Sequence, residues 1–296
     1  MTVYVGIPDP SWLGYIERPA CVSFRRLSRM SPYNLPRASQ PWFLDPGITW
    51  VFDYKRGTEA DEDVKPYPVT PERYAELVHR YDVLIGNLAW VSVQDYPAEA
   101  QVCAATGLSE LEHQRRSLAS YLELSAIWDA RVAAGRSHRP NPFVPALQGG
   151  KDAASYLRSV AMFQDAGVDL TQGVVGLGGV CLRESTREIA EVVEAVCTAV
   201  PGIRLHGYGV KTGGLALYGH LLDSIDSQAW SKAARSRHLK SPRCTALHRD
   251  CRNCPVQAQD WHDKMMELGT APRRLEALAA GVGTVRVPAR TSSTIT

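Results

Sequence analysis

Short apolar runs alternate with helical patterns along most of the 296-residue chain, and this alternation limits the fold more than any other feature. The runs fall at residues 2–6, 20–24, 42–44, 83–86, 90–93, 143–147, 173–175 and 203–206. Residues 71–81, 109–134, 152–166, 185–200 and 212–222 instead carry apolar side chains near i, i+3, i+4 and i+7. Ser109-Glu110-Leu111-Glu112 has the spacing of a capping box, and Thr70-Pro71 reads as an N-cap followed by Pro at N1. Sustained strand–helix alternation predicts a parallel sheet covered by helices. A (β/α)8 barrel and an open doubly wound sheet both satisfy it, and the length favours the barrel. Periodicity fades from Thr284. Residues 1–283 are therefore expected to form one domain, and 284–296 a flexible tail.

Composition excludes several classes. Hydrophobic residues make up 45% and charged residues 22%, values that do not suit a disordered, collagen-like or coiled-coil chain. No apolar stretch approaches membrane-spanning length, and residues 1–9 lack the basic and apolar regions of a signal peptide. A cytoplasmic protein is expected. The net charge of +2 provides no whole-molecule attraction for nucleic acid, so such a partner has to be read from local patches.

Chemistry in either α/β architecture gathers at the C-terminal ends of the strands. Asp45 follows the run at 42–44, and Gln94 and Asp95 follow 90–93. Gln148, Gly149 and Gly150 follow 143–147, and Gly176-Leu177-Gly178-Gly179 follows 173–175. His206, Gly207, Tyr208 and Gly209 close the run that starts at Ile203, and a short apolar segment from Leu221 ends in Asp226 and Ser227. Carboxylates accept hydrogen bonds from amine and imide N–H groups, while Gln and bare glycine backbone offer donors and acceptors at close range. The set suits a polar planar ligand, and a carboxylate pair can divide nucleophile and acid/base roles at an anomeric carbon. The glycine spacing is not G-x-G-x-x-G, which sets a dinucleotide site aside.

Seven cysteines are present, and Cys244, Cys251 and Cys254 fall close together. An odd count and this clustering point to a metal site in a reducing compartment rather than to disulfides. Cys244-x3-His248-x2-Cys251-x2-Cys254 offers three thiolates and an imidazole, the closed four-ligand set of structural zinc. His262, on a helix expected over 255–268, is the alternative fourth ligand. Just before the cluster, Lys232, Arg235, Arg237, Lys240 and Arg243 form a basic run without an acid, read as phosphate-binding. Arg25-Arg26 and Arg115-Arg116 are further basic pairs that the sequence does not place.

The motifs Leu44-Asp45-Pro46-Gly47, Val93-Gln94-Asp95, Thr106-Gly107-Leu108-Ser109 with Glu112 to Arg116, Pro145-Ala146-Leu147-Gln148-Gly149, Val175 to Cys181, Leu205 to Lys211 and Asp223 to Trp230 occur in order, followed by the cysteine cluster. In that order the chain resembles the tRNA-guanine transglycosylase superfamily, and more closely the deazapurine DNA-modification transglycosylases of bacteria and their phages. The resemblance implies a (β/α)8 barrel with a small zinc-binding insertion, here 241–270. It implies Asp226 as nucleophile, Asp45 as general acid/base, and Asp95, Gln148 and the Gly176–Leu177 backbone as base-recognising groups. His206, Gly207 and Tyr208 complete the expected substrate-binding set. The chain departs from the family pattern with Pro46 and Ile48 beside the first Asp, and with Cys244 and His248 in place of the usual C-x-C start and distant His.

The resemblance further implies exchange of guanine in DNA for a 7-deazaguanine such as preQ0, through a covalent Asp–glycosyl intermediate and without an organic cofactor. Accessory DNA-modification proteins and a homodimer stay open as partners. Three rival readings stand beside it: the same exchange on tRNA, exchange on a free nucleoside, and a zinc-containing nucleic-acid-binding protein without activity. Three acids facing a polyanion argue against the last.

Overall fold

The computed structural model describes residues 1–47, 67, 69–180 and 186–270. Ile48, Cys181 and the 284–296 tail, all singled out in the sequence, lie outside the described residues. The strands are β1 (Thr2–Gly6), β2 (Ala20–Ser23), β3 (Trp42–Asp45), β4 (Leu88–Ser92), β5 (Phe143–Val144), β6 (Ala146–Leu147), β7 (Val174–Leu177), β8 (Arg204–Gly207) and β9 (Ser224–Ser227). Every ladder is parallel, and the neighbours run β5-β4-β3-β2-β1-β9-β8-β7-β6.

The two ends of that order are one chain segment. Only Pro145 separates β5 from β6; it has no N–H to give the ladder, while its carbonyl accepts from Gly176 N at 2.8 Å. Val91 therefore pairs with Phe143 on one side of the break, and Ala146 with Gly176 on the other. Nine short strands thus fill eight positions, and the sheet is a (β/α)8 barrel.

Helices cover the outside: α1 (Phe24–Leu27), α2 (Pro71–Ile85), α3 (Ala100–Thr106), α4 (Glu110–Ala133), α5 (Ala153–Asp165), α6 (Thr186–Ala199), α7 (Thr212–Tyr218), α8 (Ala229–Arg237) and α9 (Pro255–Thr270). Their starts follow the local chemistry. Thr70 and Asp152 cap α2 and α5 by accepting from Arg73 N at 3.3 Å and Ser155 N at 3.0 Å. Ser109 caps α4 through Glu112 N at 3.2 Å, whereas the Glu112 carboxylate pairs with Arg116 at 2.8 Å. The run at 83–86 is not a strand. Val83 to Ile85 form the last turn of α2, and Gly86 ends it at φ 73°. Tyr81 and Ile85 stay buried four residues apart, so the helical period continues through the apolar run. The first part of the basic run, Lys232, Arg235 and Arg237, lies on α8, a helix the apolar periodicity did not reveal, and Lys240 and Arg243 follow it. Among the described residues no helix is long and apolar enough to cross a membrane.

Strand alternation sends Val3, Val5, Val22 and Leu44 outward to the helices, and Tyr4, Cys21, Phe43, Trp90 and Val144 inward to a separate cluster. Phe43 stacks on Trp90 with centroids 3.9 Å apart and planes at 11°, and Tyr4 meets Phe43 edge-on at 5.0 Å. This aromatic plug fills the barrel and forms the floor on which mouth residues stand. Phe43→Ala should therefore destabilise the protein by roughly 3–5 kcal/mol, read as a lower denaturant midpoint at unchanged m-value. A loss below about 1 kcal/mol would mean that the plug does not carry the barrel.

Candidate active site

At the C-terminal mouth the strands bring distant residues together around a cavity of about 380 Å³. Asp45, Asp95 and Asp226 line it, together with Cys21, Ser92, Glu99, Gly178, Gly179 and Tyr208. Asp226 lies within β9, just before its last residue, Ser227. Its Oδ1 accepts from Gly209 N at 3.0 Å and lies 3.3 Å from His206 Nε2. His206 is wholly buried, and Ser224 Oγ lies 2.9 Å from its Nδ1. The imidazole is thus a strut that orients the Asp226 carboxylate from below.

Asp45 ends β3 and is enclosed by the mouth. Burial pushes its carboxyl up to about 7, the charge of Asp226 adds to this, and the Gly47 N–H opposes it. Asp95 follows β4 and is 6% exposed. Burial is the main cause that raises it to about 7, with the charge of Asp45 second. Gln148 Nε2 donates to Asp95 Oδ2 at 2.5 Å, and the Tyr67 hydroxyl donates to the Asp95 carbonyl at 2.6 Å. Gln148 is itself fixed: Gln114 of α4 donates to its carbonyl at 2.7 Å and to Ser155 O at 2.9 Å. Its buried Oε1 has no hydrogen-bond partner among the described residues. An acid near neutrality beside an oriented amide can grip a planar N–H-bearing edge, with the ligand's donors drawing the acid into its charged form.

The Gly-rich segments have steric reasons. A Cβ on Gly176 would meet the Tyr208 ring at 2.4 Å, and one on Gly178 would meet the Gln148 amide at 2.3 Å. Gly176 and Leu177 belong to β7, where Gly176 N donates to Pro145 O, and Gly178 and Gly179 just beyond the strand line the cavity. Gly207 lies below the mouth, close to Val210. Tyr208 faces the cavity, its hydroxyl 2.7 Å from Ser92 Oγ.

Several lining residues escaped the sequence reading, Cys21, Ser92, Glu99, Arg25 and Arg26 among them. Cys21 passed for a small hydrophobe, although its thiol is held far above its usual range by burial and then by Asp226 and Asp45. Ser92 and Glu99 carry no motif, and Arg25 and Arg26 had no assigned face. Of the basic run, Lys232, Arg235, Arg237, Lys240 and Arg243 are all exposed and none lines the cavity.

Beside α8 the cysteine cluster closes. One donor atom each from Cys244, His248, Cys251 and Cys254 lies within 4.8 Å of the others. His248 Nε2 is 3.3 Å from Cys244 Sγ and 3.1 Å from Cys251 Sγ. Ligands about 2.3 Å from a tetrahedral ion stand roughly 3.8 Å apart, so the cluster fits a metal. His262 is not in it; its Nδ1 is 3.0 Å from Asp263 Oδ1.

Acids converging on the mouth of a parallel barrel, beside a Cys3His knuckle, describe the plan of a transglycosylase that handles a planar base. The family model DpdA, DeoxyPurine in DNA protein A, matches residues 1–288, and the chain belongs to that family of deazapurine DNA-modification transglycosylases. No curated protein matches the chain.

The folded-state value of about 7 for Asp45 stands above the 3.8 of a free carboxyl. The folded protein then holds an extra proton between these values, and stability falls as pH rises through that window. Asp45→Asn should melt above wild type at pH 8, by roughly 2–4 °C for each kcal/mol recovered, and the advantage should fade toward pH 5. Equal melting temperatures at pH 8 would contradict a strained carboxylate.

Proposed function

We propose that the protein exchanges guanine in DNA for a 7-deazaguanine by double displacement. The observation that carries this is the convergence of Asp45 and Asp226 on one cavity with the Asp95–Gln148 pair. A target guanine leaves the stack to reach the mouth. The Asp226 carboxylate forms a bond to C1′ as the C1′–N9 bond breaks, and protonated Asp45 gives its proton to the departing base. The incoming deazaguanine then loses its N9 proton to the Asp45 carboxylate. Its nitrogen bonds to C1′, and Asp226 is released, so configuration is retained overall.

Asp95 and Gln148 take the hydrogen-bonding edge of either base, and His206 holds Asp226 in line. The α8 basic surface attracts DNA without reading sequence. Residues 1–283 act as one catalytic unit that includes the knuckle at 241–270. Zinc is the metal that three thiolates and an imidazole suit best, and its part is structural.

The test is incorporation of labelled deazaguanine into duplex DNA, with tRNA in parallel. Asp226→Asn keeps shape but removes the attacking charge, so exchange should fall by several orders of magnitude while DNA binding persists. Wild-type exchange by the variant would remove Asp226 as nucleophile, and incorporation into tRNA alone would move the reading to tRNA.

The knuckle makes a separate prediction. Cys251→Ser should lose about one zinc per chain and lower stability, because a closed site adds its binding energy to folding. Full zinc content measured on the folded variant would show that Cys251 is not a ligand.

A further inference from the structure

The carboxylates face a difficulty that the α8 surface does not remove. Asp45, Asp95, Glu99 and Asp226 line the cavity, and a DNA strand entering it brings its own negative charge. Arg25 and Arg26 are the two cationic residues that line the same cavity among the described residues.

Their placement follows from the local chain. Ser23 ends β2 in register with Asp45 of β3, and α1 begins at the next residue. Phe24 and Leu27 are buried, and Phe24 meets Tyr74 edge-on at 5.0 Å. With positions 24 and 27 fixed as the inner face of one helical turn, positions 25 and 26 turn outward. Both arginines are exposed at the mouth, on a segment pinned by core aromatics and adjacent to the strand that carries Asp45. A guanidinium fork matches two non-bridging oxygens of a phosphodiester, and it stays charged at any working pH.

We propose that Arg25 and Arg26 clamp a DNA phosphate next to the extruded nucleotide, and so act as positioning residues that hold C1′ over Asp226. This rests on the base-exchange reading of the cavity. The α8 cations then collect duplex DNA in general, whereas the clamp grips only a strand whose nucleotide has entered the mouth.

The experiment compares wild type, Arg25→Ala/Arg26→Ala, Arg25→Lys/Arg26→Lys and Lys232→Ala/Arg235→Ala. Steady-state exchange is read together with salt-dependent binding of a fluorescein-labelled duplex, with a matched or a mismatched guanine. The mismatch lowers the cost of extrusion. In the Ala pair, KM for DNA should rise roughly tenfold or more, from the loss of charge-assisted hydrogen bonds. Its kcat should fall as well, because C1′ is held less well over Asp226, while its KM for free deazaguanine should hold within about threefold, because no group touching the base has changed. The slope of log K against log salt should shrink by about 0.9, the value for one neutralised phosphate. The Lys pair should recover that slope but only part of KM, since an ammonium lacks the fork. The α8 pair should weaken both duplexes alike, while the Ala pair loses the preference for the mismatched one.

An unchanged KM and slope in the Ala pair would overturn the clamp, and so would a Lys pair that restores nothing. The two readings fail differently. Normal exchange in the Ala pair sinks the clamp and leaves base exchange standing. Wild-type protein that exchanges no base, yet loses slope and mismatch preference in the Ala pair, sinks base exchange and leaves a phosphate clamp.

Discussion

Closure of the parallel ladder through residues 143–147 is the constraint on which the rest of the molecule depends. Without the step at Pro145, β4 and β7 would each present an open edge, and the inward side chains would face water. With it, the segment formed by β5 and β6 pairs with β4 on one side of the break and with β7 on the other, and alternation divides the chain cleanly. Outward valines and leucines join the helices, while inward Tyr4, Phe43 and Trp90 fill the barrel. The plug raises the next inward positions to the mouth. Phe43 is followed two residues later by Asp45, and the strand partner of Tyr4 is Asp226. Asp45 and Asp226 thus stand above buried aromatic rings.

That placement is costly. Two carboxyls held near 7 are destabilised as anions, and the surrounding fold bears the strain. The compensations are visible as fixed donors: Gly209 N on Asp226, Gln148 Nε2 on Asp95, and Gly47 N on Asp45. They are supported in turn by buried groups further out, Gln114 behind Gln148 and Ser224 behind His206. Such layered support holds reacting groups to the tolerance that proximity demands. It also explains why α4, far from the mouth in sequence, matters to the cavity.

The Cys3His knuckle and the exposed cations at 232–243 do not line the cavity. The Cys3His knuckle leans on α8, where Ser231 Oγ donates to Arg252 O at 2.6 Å and Cys251 N to Leu239 O at 2.8 Å. α8 leaves β9 directly after Asp226, and Trp230 anchors it by donating to Gly6 O at 3.2 Å. A knuckle too small to fold alone is thereby tied to the strand that carries the central acid. The exposed cations of α8 stand outside the cavity, and the two arginines of α1 line it.

The sequence by itself determined the periodic elements, the acids at the strand ends and the four metal-ligand candidates. All three signals are local: a repeat of 2 or 3.6, a residue after an apolar run, a spacing of cysteines. It misread 83–86 because an apolar run at a helix end looks the same as a short strand. It left His248 and His262 as rivals because two helical or loop spacings reach a metal equally well on paper. Only the tertiary structure placed Gly178 and Gly179 in the cavity lining, since which backbone lies at the mouth depends on the neighbouring strands. Only it brought Tyr67 and Gln148 to Asp95, and Arg25 and Arg26 to the mouth. Such contacts join residues tens of positions apart, and it is the closure of the barrel that makes them neighbours.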